Sequence, residues 1–275
     1  MALQTIGPDI LAWQPVGELR ETFARTDIIA IDLDECIFPG YSQTELGARI
    51  AWRLLRRPKT LGERRFLPRL VRGGAFFALR EMKRFFGFHT PTTRLVTQYE
   101  RTLRGVPERY LREEATKLPR RSFTFAAETV ALLASHAPTG IISLGLDVVM
   151  EAYMRQFRSD EGPSLSYFDA NVVAFRPGKN GEHVFGGYDW SRLMADGADK
   201  CRALRRRMAE FGATVPTTVG HSDDDVDLAR LTRELGGLAI GFCPPRRLWD
   251  AFDAIVTGRD WGAMYALAAI LAGPP

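Results

Sequence analysis

Cysteine is scarce and scattered: Cys36, Cys201 and Cys243 are the three in 275 residues, an odd number with no metal-type spacing. Neither a disulfide framework nor a zinc finger is expected. Each thiol reads as a small packing residue in a reduced, cytoplasmic protein. No stretch approaches about 18 uncharged apolar residues, and the C-terminal AMYALAAILAG is too short to span a bilayer. The N-terminal MALQTIGPDILAWQPVGEL lacks a basic segment ahead of an apolar one, so no secretory signal is expected. Internal repeats and low-complexity tracts are missing as well. What remains is ordinary soluble composition, 45% hydrophobic and 25% charged. The chain is long enough for one large domain or for a core with an insertion.

Aspartate is missing from one long segment. Between Tyr41 and Ser122 there are 20 Lys+Arg against 7 Glu and no Asp, a net +13, whereas the whole chain carries +4. The remainder is therefore acidic, at −9. Such an asymmetry suggests two modules with different tasks. The basic segment also reads as all-helical. TELGARIAWRLLRR puts Leu46, Ile50, Leu54 and Leu55 on one face and arginines on the other. Further helical patterns run from about Leu61 to Phe86, interrupted by Pro68 and Gly73-Gly74, from Thr90-Pro91 to Leu103 and from Pro107 to Lys117, with Pro119 closing the segment.

The flanking sequence has a different character. Residues up to about Arg25 read as a leader holding one short helix. Ile28 to Ile31 is a β-branched run of the kind buried on both faces of a parallel sheet, and it ends in Asp32, Leu33 and Asp34. Buried strands are also expected at Thr139–Leu144, Thr217–Gly220, Leu238–Phe242 and Ala254–Val256, with helices at Phe125–Ala137, Leu146–Arg158, Ala198–Phe211, Asp225–Leu235 and from Trp261 onward. Phe168–Phe175 and His183–Gly186 read as a small hairpin around Gly178 and Gly181. Strands alternating with helices imply a parallel α/β sheet.

Chemistry-bearing residues gather at the predicted strand ends. Asp32 and Asp34 lie two apart on extended chain and so point to one side, where open α/β sheets place their ligands. Ser143 follows the next strand, Lys200 opens a helix, and GHSDDD (220–225) follows TTV. Together they contain what metal-assisted phosphoryl transfer needs. One carboxylate attacks phosphorus and a second protonates the leaving oxygen. A hydroxyl and an ammonium hold the phosphoryl oxygens, while further carboxylates hold Mg²⁺.

These stretches resemble the four motifs of the haloacid dehalogenase superfamily of phosphatases, most closely its phosphoserine phosphatase-like branch. The stretches, in order, are IDLDECIFPG, ISLGLDVVMEAYM, GADKCRALRRR and VGHSDDDVDLA. The resemblance implies a Rossmann-like parallel sheet flanked by helices, built from residues 1–40 and 123–275. An all-helical cap over 41–122 would be inserted between the first and second motifs. It implies Asp32 as a nucleophile that forms an aspartyl-phosphate, and Asp34 as general acid and then base. Ser143, Leu144 and Lys200 would grip the phosphoryl group. Asp32, Asp34, Asp224 and Asp225 would hold Mg²⁺, with Mn²⁺ as the softer choice.

The match departs from the family at two places. The fourth motif usually reads GDSxxD, and here His221 stands at its first acid. Imidazole is a poorer Mg²⁺ ligand than carboxylate. Three readings stay open: Asp224 or Asp225 supplies the missing oxygen, the site takes a softer ion, or the site binds phosphate without turnover. Glu35-Cys36 stands where the family often has Gly followed by Thr or Val. The expected function is a Mg²⁺-dependent phosphatase acting on a small, anionic phosphorylated substrate. The alternative is a catalytically impaired relative that binds a phosphorylated ligand, an acidic partner or an anionic membrane through its basic insert. No nucleic-acid module is recognised.

Overall fold

The computed structural model describes residues 2–56, 66–85, 92–159, 162–178 and 181–273. Its elements in chain order begin with β1 (Gln4–Gly7), β2 (Ile10–Ala12), α1 (Val16–Ala24) and β3 (Ile28–Ile31). Four helices follow: α2 (Ser42–Arg56), α3 (Leu67–Phe85), α4 (Thr92–Leu103) and α5 (Glu108–Ala115). Next come α6 (Ala126–Ala134), β4 (Thr139–Leu146), α7 (Asp147–Gln156), β5 (Arg158–Ser159), β6 (Gly162–Pro163), β7 (Tyr167–Asn171), β8 (Val173–Pro177) and β9 (His183–Tyr188). The chain ends through α8 (Gly197–Phe211), β10 (Pro216–Gly220), α9 (Asp223–Glu234), β11 (Leu238–Phe242), β12 (Ala254–Val256) and α10 (Trp261–Ala272).

One sheet organises the fold, in the strand order β1-β2-β12-β11-β10-β3-β4-β7. From β12 to β7 every pairing is parallel. β3 is central because all four of its residues are buried, and burying each isoleucine contributes about 1.5–3 kcal/mol. Its Ile31 pairs with Val219 of β10 on one side and Ile141 of β4 on the other. Asp32, just past β3, is thereby level with Gly220 at the end of β10 and with Ile142 inside β4, one residue before Ser143.

Helices cover both faces. On one, Ile28, Ala30 and Ile142 pack with Ala203, Leu204 and Met208 of α8 and Leu228 and Leu231 of α9. On the other, Ile29 and Ile31 belong to a core that runs without a break into Leu46, Ile50 and Leu54 of α2 and Leu103, Tyr110 and Leu111 of the following helices. None of the described helices is long and apolar enough to cross a membrane.

The fold is the helix-flanked, Rossmann-like parallel sheet expected from the sequence, with two corrections. The predicted leader is part of the sheet: β1 and β2 form an antiparallel pair, and β2 extends it onto β12. Asp9, at φ 56°, makes the turn between them. The predicted strand 168–175 is two strands. β7 pairs with β4 in the main sheet, whereas β8 pairs only with β9. That hairpin leaves the sheet and docks on the inserted helices, where Gly105 N donates to Phe185 O (2.8 Å) and Phe185 N to Val106 O (2.8 Å). α3 runs unbroken through Gly73-Gly74, while the expected helical starts at Leu61 and Thr90-Pro91 lie outside the described residues.

Candidate active site

Asp32 is the first residue past β3 and is buried, at 4% exposed. Its backbone N–H still donates to Val219 O (2.9 Å), continuing the ladder for one more residue. The chain then folds back on itself. The N–H groups of Cys36, Ile37 and Phe38 all donate to Leu33 O, and Glu35 N donates to Gly40 O (3.0 Å). Trp261 pins this loop through Nε1 to Cys36 O (2.7 Å).

Lys200 reaches the site from the first turn of α8, whose start is capped by Asp196 accepting from Asp199 N (3.0 Å). Its Nζ lies 2.6 Å from Asp225 Oδ1 and 3.1 Å from Asp32 Oδ1. Burial opposes the ammonium charge, but Asp225 and Asp32 more than compensate and raise its pKa. Asp225 carries the reciprocal effect. Burial alone would raise its pKa, and Lys200 and His221 hold it below the usual carboxylate range. Its second oxygen accepts from His221 N (2.9 Å), Ser222 N (3.0 Å) and Ser222 Oγ (3.0 Å). Asp225 is thus the post that fixes both Lys200 and the loop after β10.

Asp34 points elsewhere. Its carboxylate accepts from Ser42 N (2.8 Å), the first residue of α2. Burial pushes its pKa up to about 6, with the Ser42 hydrogen bonds pulling the other way. A carboxyl that stays protonated near neutrality can donate a proton to a leaving group.

Ser143 sits in β4, 1% exposed, with Oγ accepting from Gly145 N (3.1 Å). Leu144 O accepts from Gln43 Nε2 (2.9 Å) of α2 and from Asn171 Nδ2 (2.8 Å). A Cβ at Gly145 would crowd Met150 Cε at 3.0 Å and Ser143 Oγ at 3.2 Å. The start of α2 therefore touches both the loop after β3 and the strand bearing Ser143.

The structure brings Asp32, Lys200 and Asp225 into direct contact and adds His221 and Glu35, the two departures from the expected motifs. His221 lies with Nδ1 3.5 Å from both Asp32 Oδ2 and Asp225 Oδ2, and its Nε2 lies 3.2 Å from Glu35 Oε2. Burial works against its charge, but Asp32, Glu35 and Asp225 raise its pKa to about 10. Glu35 was legible only as a departure from a motif, and no sequence signal tied it to a residue 186 positions away.

Among the described residues, Asp32, His221 and Asp225 form the one group whose candidate ligand atoms come within 4.8 Å of one another. Asp224 lies outside it, in the first turn of α9. The donor set fits a divalent cation. Asp32 offers a hard oxygen, and the buried Nδ1 of His221 has no hydrogen-bond partner. Asp225 is a weaker candidate, because both its oxygens already accept hydrogen bonds.

No model of a known protein family matches the chain, and no curated protein matches it. Solved structures do. An apo phosphoserine phosphatase superposes with a TM-score of 0.60 at 17% identity, covering 88% of this chain and 98% of that one. A phospho-aspartyl intermediate analogue of phosphoserine phosphatase gives 0.58 at 16% identity, covering 88% and 98%. Cytosolic 5'-nucleotidase IIIB bound to cytidine gives 0.64 at 15% identity, covering 97% and 94%. The chain has the haloacid dehalogenase fold. At these identities the likeness establishes the fold alone, and the chemistry must be argued from the side chains.

Proposed function

We propose that the protein is a divalent-cation-dependent phosphatase that hydrolyses a small, anionic phosphomonoester through an aspartyl-phosphate on Asp32. The observation that carries this reading is the buried Lys200 clamped between Asp225 and Asp32 at the end of the central strand, next to an Asp34 whose pKa is about 6. An Asp32 oxygen attacks phosphorus, and the departing alkoxide takes its proton from Asp34. Asp34, now ionised, takes a proton from water, whose oxygen attacks the aspartyl-phosphate and releases inorganic phosphate. Lys200, Ser143 and the Leu144 backbone hold the phosphoryl oxygens and offset their charge. When bound, the cation, Mg²⁺ or Mn²⁺, would neutralise phosphoryl charge, held by Asp32, the Asp34 carbonyl and His221. Asp224 is proposed to contribute charge from beyond these ligands. That a phospho-aspartyl analogue has been trapped on this fold supports the covalent route.

Residues 41–122 are proposed as the cap, with α2 as its contact to the site. The +13 charge of this insert suits an anionic substrate. The test is phosphate release from an aryl phosphate with Mg²⁺, Mn²⁺ or chelator. We expect cation-dependent turnover that Asp32→Asn abolishes. Undiminished turnover in a folded Asp32→Asn protein would overturn the mechanism.

A second reading is favoured by a different observation. The faces of α2 and α3 opposite their buried stripes are apolar. Ala48, Trp52 and Leu55 recur at helical spacing on α2, with Leu55 turned away from Leu46, Ile50 and Leu54 rather than grouped with them as the sequence suggests, and Pro68, Val71, Ala75 and Leu79 recur on α3, all exposed. Trp52 is 54% and Val71 67% exposed, and Arg56 stacks 3.9 Å over the Trp52 ring. From Trp52 to Arg72 the sequence holds eight Lys+Arg and one Glu. An apolar face set among arginines fits an anionic lipid surface. On this reading the protein docks on a membrane through the insert. Sedimentation with phosphatidylglycerol vesicles at low salt, lost on Trp52→Ser plus Leu55→Ser, is the expected result. Failure to sediment would dispose of it.

A further inference from the structure

The two places where the motifs depart from the family pattern touch in space. His221 stands where a carboxylate is expected, and Glu35 stands where glycine is common. Glu35 Oε2 lies 3.2 Å from His221 Nε2, so the acid missing after β10 reappears in the loop after β3. Glu35 keeps the backbone that glycine would favour, with φ at 56°, a region that disfavours any residue bearing a Cβ. A carboxylate maintained there against backbone preference points to a role for the side chain. Tyr41 steadies it by donating from its hydroxyl to the same Oε2 (3.2 Å).

The ring geometry shows what that role is. With Nε2–H donated to Glu35, Nδ1 is the ring nitrogen left to meet a cation. That Nδ1 is buried and without a hydrogen bond, and it faces Asp32 Oδ2 at 3.5 Å. A carboxylate behind one ring nitrogen and an open site before the other is the arrangement that orients metal-ligating histidines and raises their basicity. We propose that Glu35 is a positioning residue that fixes His221 with Nδ1 as a metal ligand beside Asp32. This gives the site a preference for Mn²⁺ over Mg²⁺. The inference rests on the cation-dependent reading of the site. Nitrogen ligands favour Mn²⁺ and later transition ions over Mg²⁺, which prefers oxygen and holds its waters.

Cation binding is measured without substrate, by loss of the free Mn²⁺ EPR signal and by calorimetry for Mg²⁺. The wild type is expected to bind Mn²⁺ at least tenfold more tightly than Mg²⁺. Glu35→Gln is expected to weaken Mn²⁺ by about 10- to 100-fold with little effect on Mg²⁺, and His221→Asp should tighten Mg²⁺ and narrow the ratio. Glu35→Gly, which suits the left-handed backbone, provides a second variant should Glu35→Gln fold poorly. As a signature beyond affinity, the ¹⁵N resonance of His221 Nδ1 should shift on Zn²⁺ addition. Equal affinities for Mn²⁺ and Mg²⁺ in the wild type, or Mn²⁺ affinity unchanged in both Glu35 variants, would overturn the proposal. Because no turnover enters this measurement, a protein that discriminates cations but releases no phosphate would contradict the proposed function alone.

Discussion

Lys200 and Arg56 are both cations beside a partner, yet their surroundings differ in every respect that matters energetically. Lys200 is 2% exposed and touches two buried carboxylates, whereas Arg56 is exposed and lies flat on an exposed Trp52. At the sheet, charge is buried, and Lys200 and Asp225 hold each other in a direct hydrogen bond. On the outward face of α2 and α3, charge stays solvated and apolar side chains are left in water. Buried pairing of the first kind is costly to assemble and costly to break, so it marks where chemistry needs a fixed geometry. Solvated arginine around exposed tryptophan costs the fold little, and its value lies in what it can meet.

The contrast is sharpest in stability. Lys200→Met leaves Asp225 and Asp32 buried without their cation and is expected to cost about 3–5 kcal/mol, measured by urea unfolding. A loss below about 1 kcal/mol would mean that the site floor is as forgiving as the surface. Next in size is Asp147, at the start of α7, where burial pushes the pKa from 3.8 up to about 6. An acid with a raised folded pKa binds more protons folded than unfolded. Its ionisation therefore costs stability, progressively from pH 4 to pH 6 and in full above that. Asp147→Asn should lose this dependence. Measured against the wild type, it should gain about 2–3 kcal/mol between pH 4 and pH 7, whatever the substitution costs at pH 4. A pH-independent difference would contradict the shift.

Smaller effects belong to the solvated charges. Arg112 joins Glu108 (2.6 Å) and Glu151 (2.6 Å) but is 39% exposed, so Arg112→Gln is expected to cost at most about 1 kcal/mol. Trp52→Ser should change stability by less than about 0.5 kcal/mol while removing vesicle binding. A large destabilisation there would show that the apolar face is part of the fold's own packing.

Much of the fold was legible because its signals are local. The Ile28–Ile31 run, the TTVG and LAIGF strands and the amphipathic pattern of α2 each identify their element without knowledge of the rest. β1 and β2 were hidden because an edge pair needs little hydrophobicity: Gln4 and Thr5 are exposed, and only Ile10 and Ala12 are fully buried. Val172 reads as one more residue of a continuous strand, and only docking on Gly105 and Val106 shows that β8 has left the sheet. In the site, Asp32 and Asp34 follow β3 and Lys200 lies in the first turn of α8, as expected, whereas Ser143 is inside β4, which runs on to Leu146. The division of labour among the acids after β10 was not readable. DDD offers three equivalent carboxylates in sequence, and only the turn into α9 aims Asp225 at Lys200 while leaving Asp224 in the first turn. The Glu35–His221 contact depends on two loops from distant strands and has no local trace.

The most direct test of the central claim, that Asp32 is the nucleophile, needs no knowledge of the substrate. Beryllofluoride with a divalent cation forms a tetrahedral adduct on an aspartyl nucleophile and reports by ¹⁹F NMR. A bound-fluoride signal in the wild type that requires the cation and is missing in a folded Asp32→Asn protein is the predicted result. The same signal persisting in Asp32→Asn would place the nucleophile elsewhere and contradict the mechanism.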